Sequence, residues 1–172
     1  MGIGRGASGP HDQQTDMQGF TTVDSSSQEI PVDPFHDLDL HQSEVLETQS
    51  AAFVRLDPGV IVVKVKPVHI TQDMSDRNLE VTFELADDKP WALVIDMVDL
   101  KSTDRSVRHK TGKPDRFEGA TAIAVVAGNP LSRFLGNFLI RVRGPSRPTR
   151  IFAHTDAAVR WARGYLPDHT ED

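Results

Sequence analysis

The sequence contains no cysteine, which excludes disulfide bonds and thiolate metal sites. No run of apolar residues is long enough to span a membrane, and the first residues lack the apolar core of a signal peptide. We therefore expect a soluble, cytoplasmic protein. Only 38% of the 172 residues are hydrophobic, so we expect part of the chain to lie outside a packed core.

Positive charge is almost absent from the first quarter of the chain. Residues 1–47 contain nine acidic residues and one basic residue, Arg5, for a net charge of −8, whereas the remainder has a net charge of +2. This distribution does not indicate nucleic-acid binding. Because the acidic segment also has few large apolar side chains to bury, we predict a disordered acidic tail over residues 1–45 and a folded α/β domain over residues 46–168.

The sequence also lacks the motifs of the common enzyme classes. It has no nucleophile elbow and no phosphate-binding loop, and the Gly-Ile-Gly at residues 2–4 follows no strand. Ser106 and His109 share a predicted helix face, but no acid that could orient the histidine is evident. Four residues of the tail have metal-ligand chemistry: His36, Asp37, Asp39 and His41. A solvated linker explains them better. We expect no catalytic residues, no metal and no cofactor.

After the tail, segments of continuous apolar residues alternate with segments in which apolar residues recur at helical spacing. The predicted strands are residues 52–56, 60–66, 91–97, 121–126 and 150–153. The predicted helices are residues 71–86, 104–110, 131–143 and 155–166. Asp57-Pro58-Gly59 favours a hairpin between the first two strands. We therefore predict an α/β fold with a mostly parallel sheet, an antiparallel N-terminal edge hairpin and about four helices.

Polar residues at the predicted helix starts suit the N-cap position, where a side-chain oxygen accepts a hydrogen bond from a first-turn amide. The predicted caps are Thr71 for the first helix, Thr103 or Asp104 for the second, and Thr155 or Asp156 for the last.

Three segments carry a resemblance to STAS domains, the small α/β modules of bacterial anti-sigma-factor antagonists. They are ALVIDMVDLKS at residues 92–102, AVVAGNPLSRFLGNFLIRV at 124–142 and PTRIFAHTDAAVRWARGYL at 148–166. The chain looks most similar to an actinobacterial STAS-like group, over residues 45–167. The resemblance implies a non-catalytic protein-interaction module in bacterial signalling or stress regulation. The implied partner is an anti-sigma-factor-like protein or another regulator.

The resemblance also points to a switch loop. In antagonists of this class, the strand equivalent to residues 91–97 leads to an Asp-Ser pair whose serine is phosphorylated. Here Asp104 matches the aspartate, Arg105 stands at the serine position and Ser106 follows. The residues of the candidate phospho-switch or partner loop are Asp99, Ser102, Thr103, Asp104 and Ser106. The alternative is that the residues before Arg105 only cap a helix.

A second candidate surface follows the fourth predicted strand. Residues 129–150 contain five arginines and no acid, which favours a partner or anion surface, with a solvated helix face as the alternative. Its candidate residues are Asn129, Arg133, Asn137, Arg141, Arg143 and Arg147. The helix over residues 131–143 is apolar on nearly every side, which fits a homodimer, a partner groove or full burial. The alternative functions are a small-ligand or lipid-binding carrier with a cleft beside this helix, or a structural homo-oligomer.

Overall fold

The computed structural model describes residues 35, 36, 38, 43–111, 113, 116–128, 130 and 147–167. The strands in these residues are β1 (Val45–Glu47), β2 (Ala51–Leu56), β3 (Val60–Val65), β4 (His69–Ile70), β5 (Trp91–Asp96), β6 (Ser102–Thr103), β7 (Ala120–Val126) and β8 (Thr149–Phe152). The helices are α1 (Gln72–Ala86), α2 (Arg105–Thr111) and α3 (Thr155–Arg163).

Six of the strands form one mixed sheet in the order β1-β2-β3-β5-β7-β8. The pairs β1–β2 and β2–β3 are antiparallel, and β3–β5, β5–β7 and β7–β8 are parallel. Val62 of β3 lies opposite Val54 on one side and Val94 on the other. The predicted α/β fold class, with a mostly parallel sheet and an antiparallel N-terminal edge, is therefore confirmed.

Helices cover both faces of this sheet. On one face, α1 and α2 pack with side chains such as Phe53, Leu93 and Ile123. On the other face, α3 packs with Val62 and Val94 among others. Strands that are buried on both faces need apolar residues at every position. This is why the central strands read as continuous apolar runs in the sequence.

Polar side chains fix both ends of α1. The predicted cap is confirmed, because the Thr71 hydroxyl oxygen accepts a hydrogen bond of 3.4 Å from the amide of Met74. At the other end, the guanidinium of Arg55 donates to the carbonyls of Leu85 and Ala86. These carbonyls have no partner within the helix, so a half-buried cation from β2 supplies donors to them.

The predicted cap of the last helix is wrong. The helix begins at Thr155 with His154 in the cap position, and His154 makes no side-chain cap hydrogen bond. The hydroxyl of Thr155 is directed to Asp96 at the end of β5, at a distance of 2.9 Å. A tertiary hydrogen bond thus takes the place of a local cap.

Several predictions fall wholly or partly outside the described residues. The helix predicted at residues 131–143 lies outside them, and the acidic tail over residues 1–45 stays a prediction. Phe35 is described, and it is only 3% exposed in the cluster that packs against α3. None of the helices in the described part is long and apolar enough to cross a bilayer.

Candidate functional site

A two-stranded parallel sheet holds the predicted switch loop against the rest of the domain. β6 pairs with β4, and the register places Ser102 opposite His69 and Thr103 opposite Ile70. Two backbone hydrogen bonds flank this pairing, from the amide of Lys101 to the Val68 carbonyl and from the amide of Asp104 to the Ile70 carbonyl. Because Ile70 directly precedes Thr71, the N-cap of α1, these hydrogen bonds hold the loop beside the start of that helix.

The imidazole of His69 joins two of the predicted loop residues. Its Nδ1 lies 2.6 Å from Oγ of Ser102, and its Nε2 lies 2.9 Å from Oδ1 of Asp104. We call these three residues the His69 cluster. The side chains of His69 and Asp104 are 48% and 43% exposed, so the cluster is ordered by its own contacts and remains open to solvent.

Hydrogen-bond chemistry assigns a role to each group of the His69 cluster. A neutral imidazole has one donor nitrogen and one acceptor nitrogen. Asp104 can only accept when ionised, so Nε2 donates to it and Nδ1 accepts the hydrogen bond from the Ser102 hydroxyl. In the serine, histidine and aspartate triad of acyl-transfer enzymes, the serine bonds to Nε2 and the aspartate to Nδ1. The two nitrogens of His69 are used the other way round.

The side chains of the other three loop residues are directed elsewhere than to the His69 imidazole. Thr103 lines a cavity under α1 and α2, and its hydroxyl donates to the Asp104 carbonyl at 3.0 Å. Asp99 lines a different cleft, and Ser106 is exposed on α2. The His69 imidazole thus joins the side chains of Ser102 and Asp104, and the side chains of Asp99, Thr103 and Ser106 take no part in this pair of hydrogen bonds.

His69 was missed by the sequence reasoning. It lies 33 residues before Ser102, and only the pairing of β4 with β6 brings the two together. Neither strand is longer than two residues, so neither leaves a periodic signal in the sequence.

Of the six candidate residues of the predicted partner or anion surface, only Arg147 lies in the described part of the chain. Arg147 is half-buried, and its guanidinium donates to the carbonyl of Phe117. The other five members lie outside the described residues: Asn129, Arg133, Asn137, Arg141 and Arg143. The partner or anion surface over residues 129–150 stays a prediction.

The carboxyl ends of the parallel strands form a separate cleft of about 580 Å³ with acidic groups. Asp96 is only 5% exposed there. Its carboxylate accepts hydrogen bonds from the amide of Val98 at 3.0 Å and from Thr155 at 2.9 Å. Across the described residues, no group of three His, Asp or Glu side chains could hold a metal ion.

A cluster of opposite charges lies beside α1 and α2. Asp76 of α1 accepts hydrogen bonds from Gln72 at 2.8 Å, Arg116 at 3.3 Å and Lys110 at 3.4 Å. Burial opposes ionisation of Asp76, but the Gln72 hydrogen bond and the charges of Lys110 and Arg116 together hold its pKa below the usual value. Two cations thus share one carboxylate.

No curated protein matches this chain. The fold is similar to that of a DUF3478-family protein from Shewanella loihica PV-4, which is described as having a SpoIIAA-like fold. The identity is 12%, the TM-score is 0.47, and the match covers 70% of this chain and 91% of that chain. The model of a family described as a domain of unknown function, DUF7793, matches residues 54–166, and the chain therefore belongs to this family.

Proposed function

We propose that the chain is a STAS-like protein-interaction module in bacterial signalling or stress regulation, with the His69 cluster at the centre of its partner-binding surface. The STAS-like resemblance supports the class of function. The observation that carries the location is the pair of hydrogen bonds, 2.6 Å and 2.9 Å long, by which one exposed histidine holds Ser102 and Asp104.

Preorganisation is what makes the cluster suitable for recognition. Binding normally loses free energy through the ordering of side chains, about 0.5–1.5 kcal/mol for each side chain that becomes immobile. Ser102, His69 and Asp104 already constrain one another while two of them remain nearly half exposed. The hydrogen-bonding groups of the His69 cluster therefore already have fixed positions before a partner binds.

The Ser102 hydroxyl is the proposed switch of this surface. A phosphate on Ser102 would remove the proton that now bonds to His69 and would add roughly −1.5 to −2 charges. Asp104 lies on the opposite side of the same imidazole, so the added charge would be close to an existing carboxylate. Phosphorylation would thus change both the charge and the hydrogen-bond pattern that a partner meets.

The test is a quantitative pull-down with the full chain from a bacterial lysate. Three proteins are compared with the wild type: Ser102→Asp, Asp104→Asn and the control Asp88→Asn. Asp88 is exposed just beyond the far end of α1, about 20 Å away from the loop along that helix. We expect a specific regulator to be retained by the wild type and the control and lost from both cluster variants.

Equal retention of every captured protein by the wild type and the cluster variants would contradict the proposed surface. Loss from the control as well would show that the partner binds elsewhere. Circular dichroism of each variant establishes that the fold is unchanged before the comparison is made.

A further inference from the structure

A cavity of about 120 Å³ lies between α1, α2 and the sheet, and its lining includes Ile70 and Thr103 beside the His69 cluster. Most of its lining is apolar. The side chains come from β3, β5 and α2 and from the segments that follow β5 and α2: Val63, Val65, Leu93, Met97, Val107 and Phe117. Protein interiors are packed with few voids larger than a water molecule, so a cavity of this size is unusual.

The size and lining of the cavity favour an organic ligand over water. An apolar cavity of about 150 Å³ engineered into another protein stays dry and binds benzene. The cavity described here is of the same order, and ten of its seventeen lining residues are apolar. It can therefore hold an apolar body of about six non-hydrogen atoms, the size of benzene.

The polar part of the lining defines the charge of the ligand. Two arginines line the cavity, Arg108 and Arg116, and its described lining contains no carboxylate. The Arg116 side chain is only 9% exposed and bonds to Ser75 and Asp76. Asp76 also pairs with Lys110. Of these three charged groups only Arg116 lines the cavity, and together they carry one more positive than negative charge. An anionic head group would balance it with charge-assisted hydrogen bonds.

We propose that this cavity binds a small carboxylate with an apolar body, the body against Leu93 and Val107 and the carboxylate towards Arg116. None of the three side chains of the His69 cluster lines the cavity, so the proposal does not depend on the function proposed for that cluster. The fit is to a six-carbon chain or one aromatic ring carrying a single carboxylate.

The experiment uses the full chain with hexanoate, benzoate and the uncharged hexan-1-ol, measured by calorimetry and by methyl chemical shifts. We expect hexanoate and benzoate to bind with dissociation constants below about 1 mM. Hexan-1-ol should bind about tenfold more weakly, because it lacks the charge. The methyl signals of Val63, Leu93 and Val107 should shift.

Variants separate the two parts of the site. Arg116→Met should remove the preference for hexanoate over hexan-1-ol while hexan-1-ol still binds, which also shows that the variant folds. Val107→Phe should fill the cavity and abolish binding of both compounds. Arg160→Met, on the helix that covers the opposite face of the sheet, is the control and should bind like the wild type.

Three results would overturn the proposal. The first is no binding of any probe by the wild type at 10 mM, about ten times the expected limit. The second is an undiminished preference for hexanoate in Arg116→Met. The third is a set of shifts confined to residues outside the cavity.

Discussion

The hydroxyl of Thr155 donates a hydrogen bond of 2.9 Å to the buried carboxylate of Asp96. Asp96 ends β5 and Thr155 begins α3, so one side-chain contact joins the centre of the sheet to the last helix. Burial of a carboxylate lowers the stability of the fold unless its oxygens accept hydrogen bonds. The amide of Val98 donates the second described hydrogen bond to Asp96.

Replacement of Thr155 by valine should lower the free energy of unfolding by about 1–3 kcal/mol, because it leaves a buried acceptor without its donor. Urea denaturation measures the change. Thr149→Val is the matched control, since Thr149 lies in β8 and its hydroxyl makes only a 3.3 Å contact with the Arg147 carbonyl. Equal losses in the two variants would show that the bond to Asp96 contributes nothing.

Acidification should destabilise the protein partly through Asp76. Its pKa is lowered in the folded state, so its contribution to stability is present above the unfolded pKa of about 3.9 and is lost as the pH falls through the folded value. Asp76→Asn should therefore lose less stability than the wild type between pH 7 and pH 3, measured by urea denaturation. The difference should be measurable but no more than about 1 kcal/mol, as for exposed ion pairs, since the side chain is 43% exposed.

The control for this pH dependence is Asp73→Asn, an exposed carboxylate in the first turn of the same helix. It should follow the wild type more closely than Asp76→Asn does. A pH dependence of Asp76→Asn that matches the wild type would contradict the assignment.

Arg55 should stabilise α1 from outside the helix. Arg55→Met keeps most of the aliphatic stem but removes the donors to the Leu85 and Ala86 carbonyls. The free energy of unfolding should fall by about 1.5–3 kcal/mol, as expected for hydrogen bonds from a charged group. Arg77→Met is the control, because Arg77 is exposed and pairs only with surface glutamates, and it should change stability by less than about 0.5 kcal/mol. A small effect at both positions would refute this role of Arg55.

Gly59 allows the hairpin turn to approach the start of β5. A Cβ atom at this position would lie 2.7 Å from the Pro90 carbonyl oxygen, and φ is +157°. Gly59→Ala should therefore destabilise the protein by more than about 1 kcal/mol in urea denaturation. Gly164→Ala, at a φ of −65° with its nearest contact at 3.4 Å, should be neutral or slightly stabilising. The reverse order of the two variants is the contradicting result.

The sheet and α1 could be predicted because burial leaves a pattern in the sequence. β5 and β7 are covered on both faces, and each reads as an unbroken apolar run. The first helix was predicted at residues 71–86 and found at Gln72–Ala86, since helical spacing and the Thr71 cap both mark its start.

The site could be predicted only in part. Ser102 and Asp104 were identified through a resemblance, but their partner His69 could not be, because backbone pairing of two-residue strands selects no residue type. The bond from Thr155 to Asp96 spans 59 residues and competes with a local cap that the sequence favours equally. Contacts that depend on where separate elements meet leave no local signal.

The most direct test of the proposed function is the dissociation constant between the full chain and the regulator retained in the pull-down, measured by calorimetry for the wild type, His69→Ala and Asp88→Asn. Removal of the imidazole releases both Ser102 and Asp104, so we expect binding at least about tenfold weaker for His69→Ala and unchanged for Asp88→Asn. Equal dissociation constants for all three proteins would contradict a partner surface centred on His69.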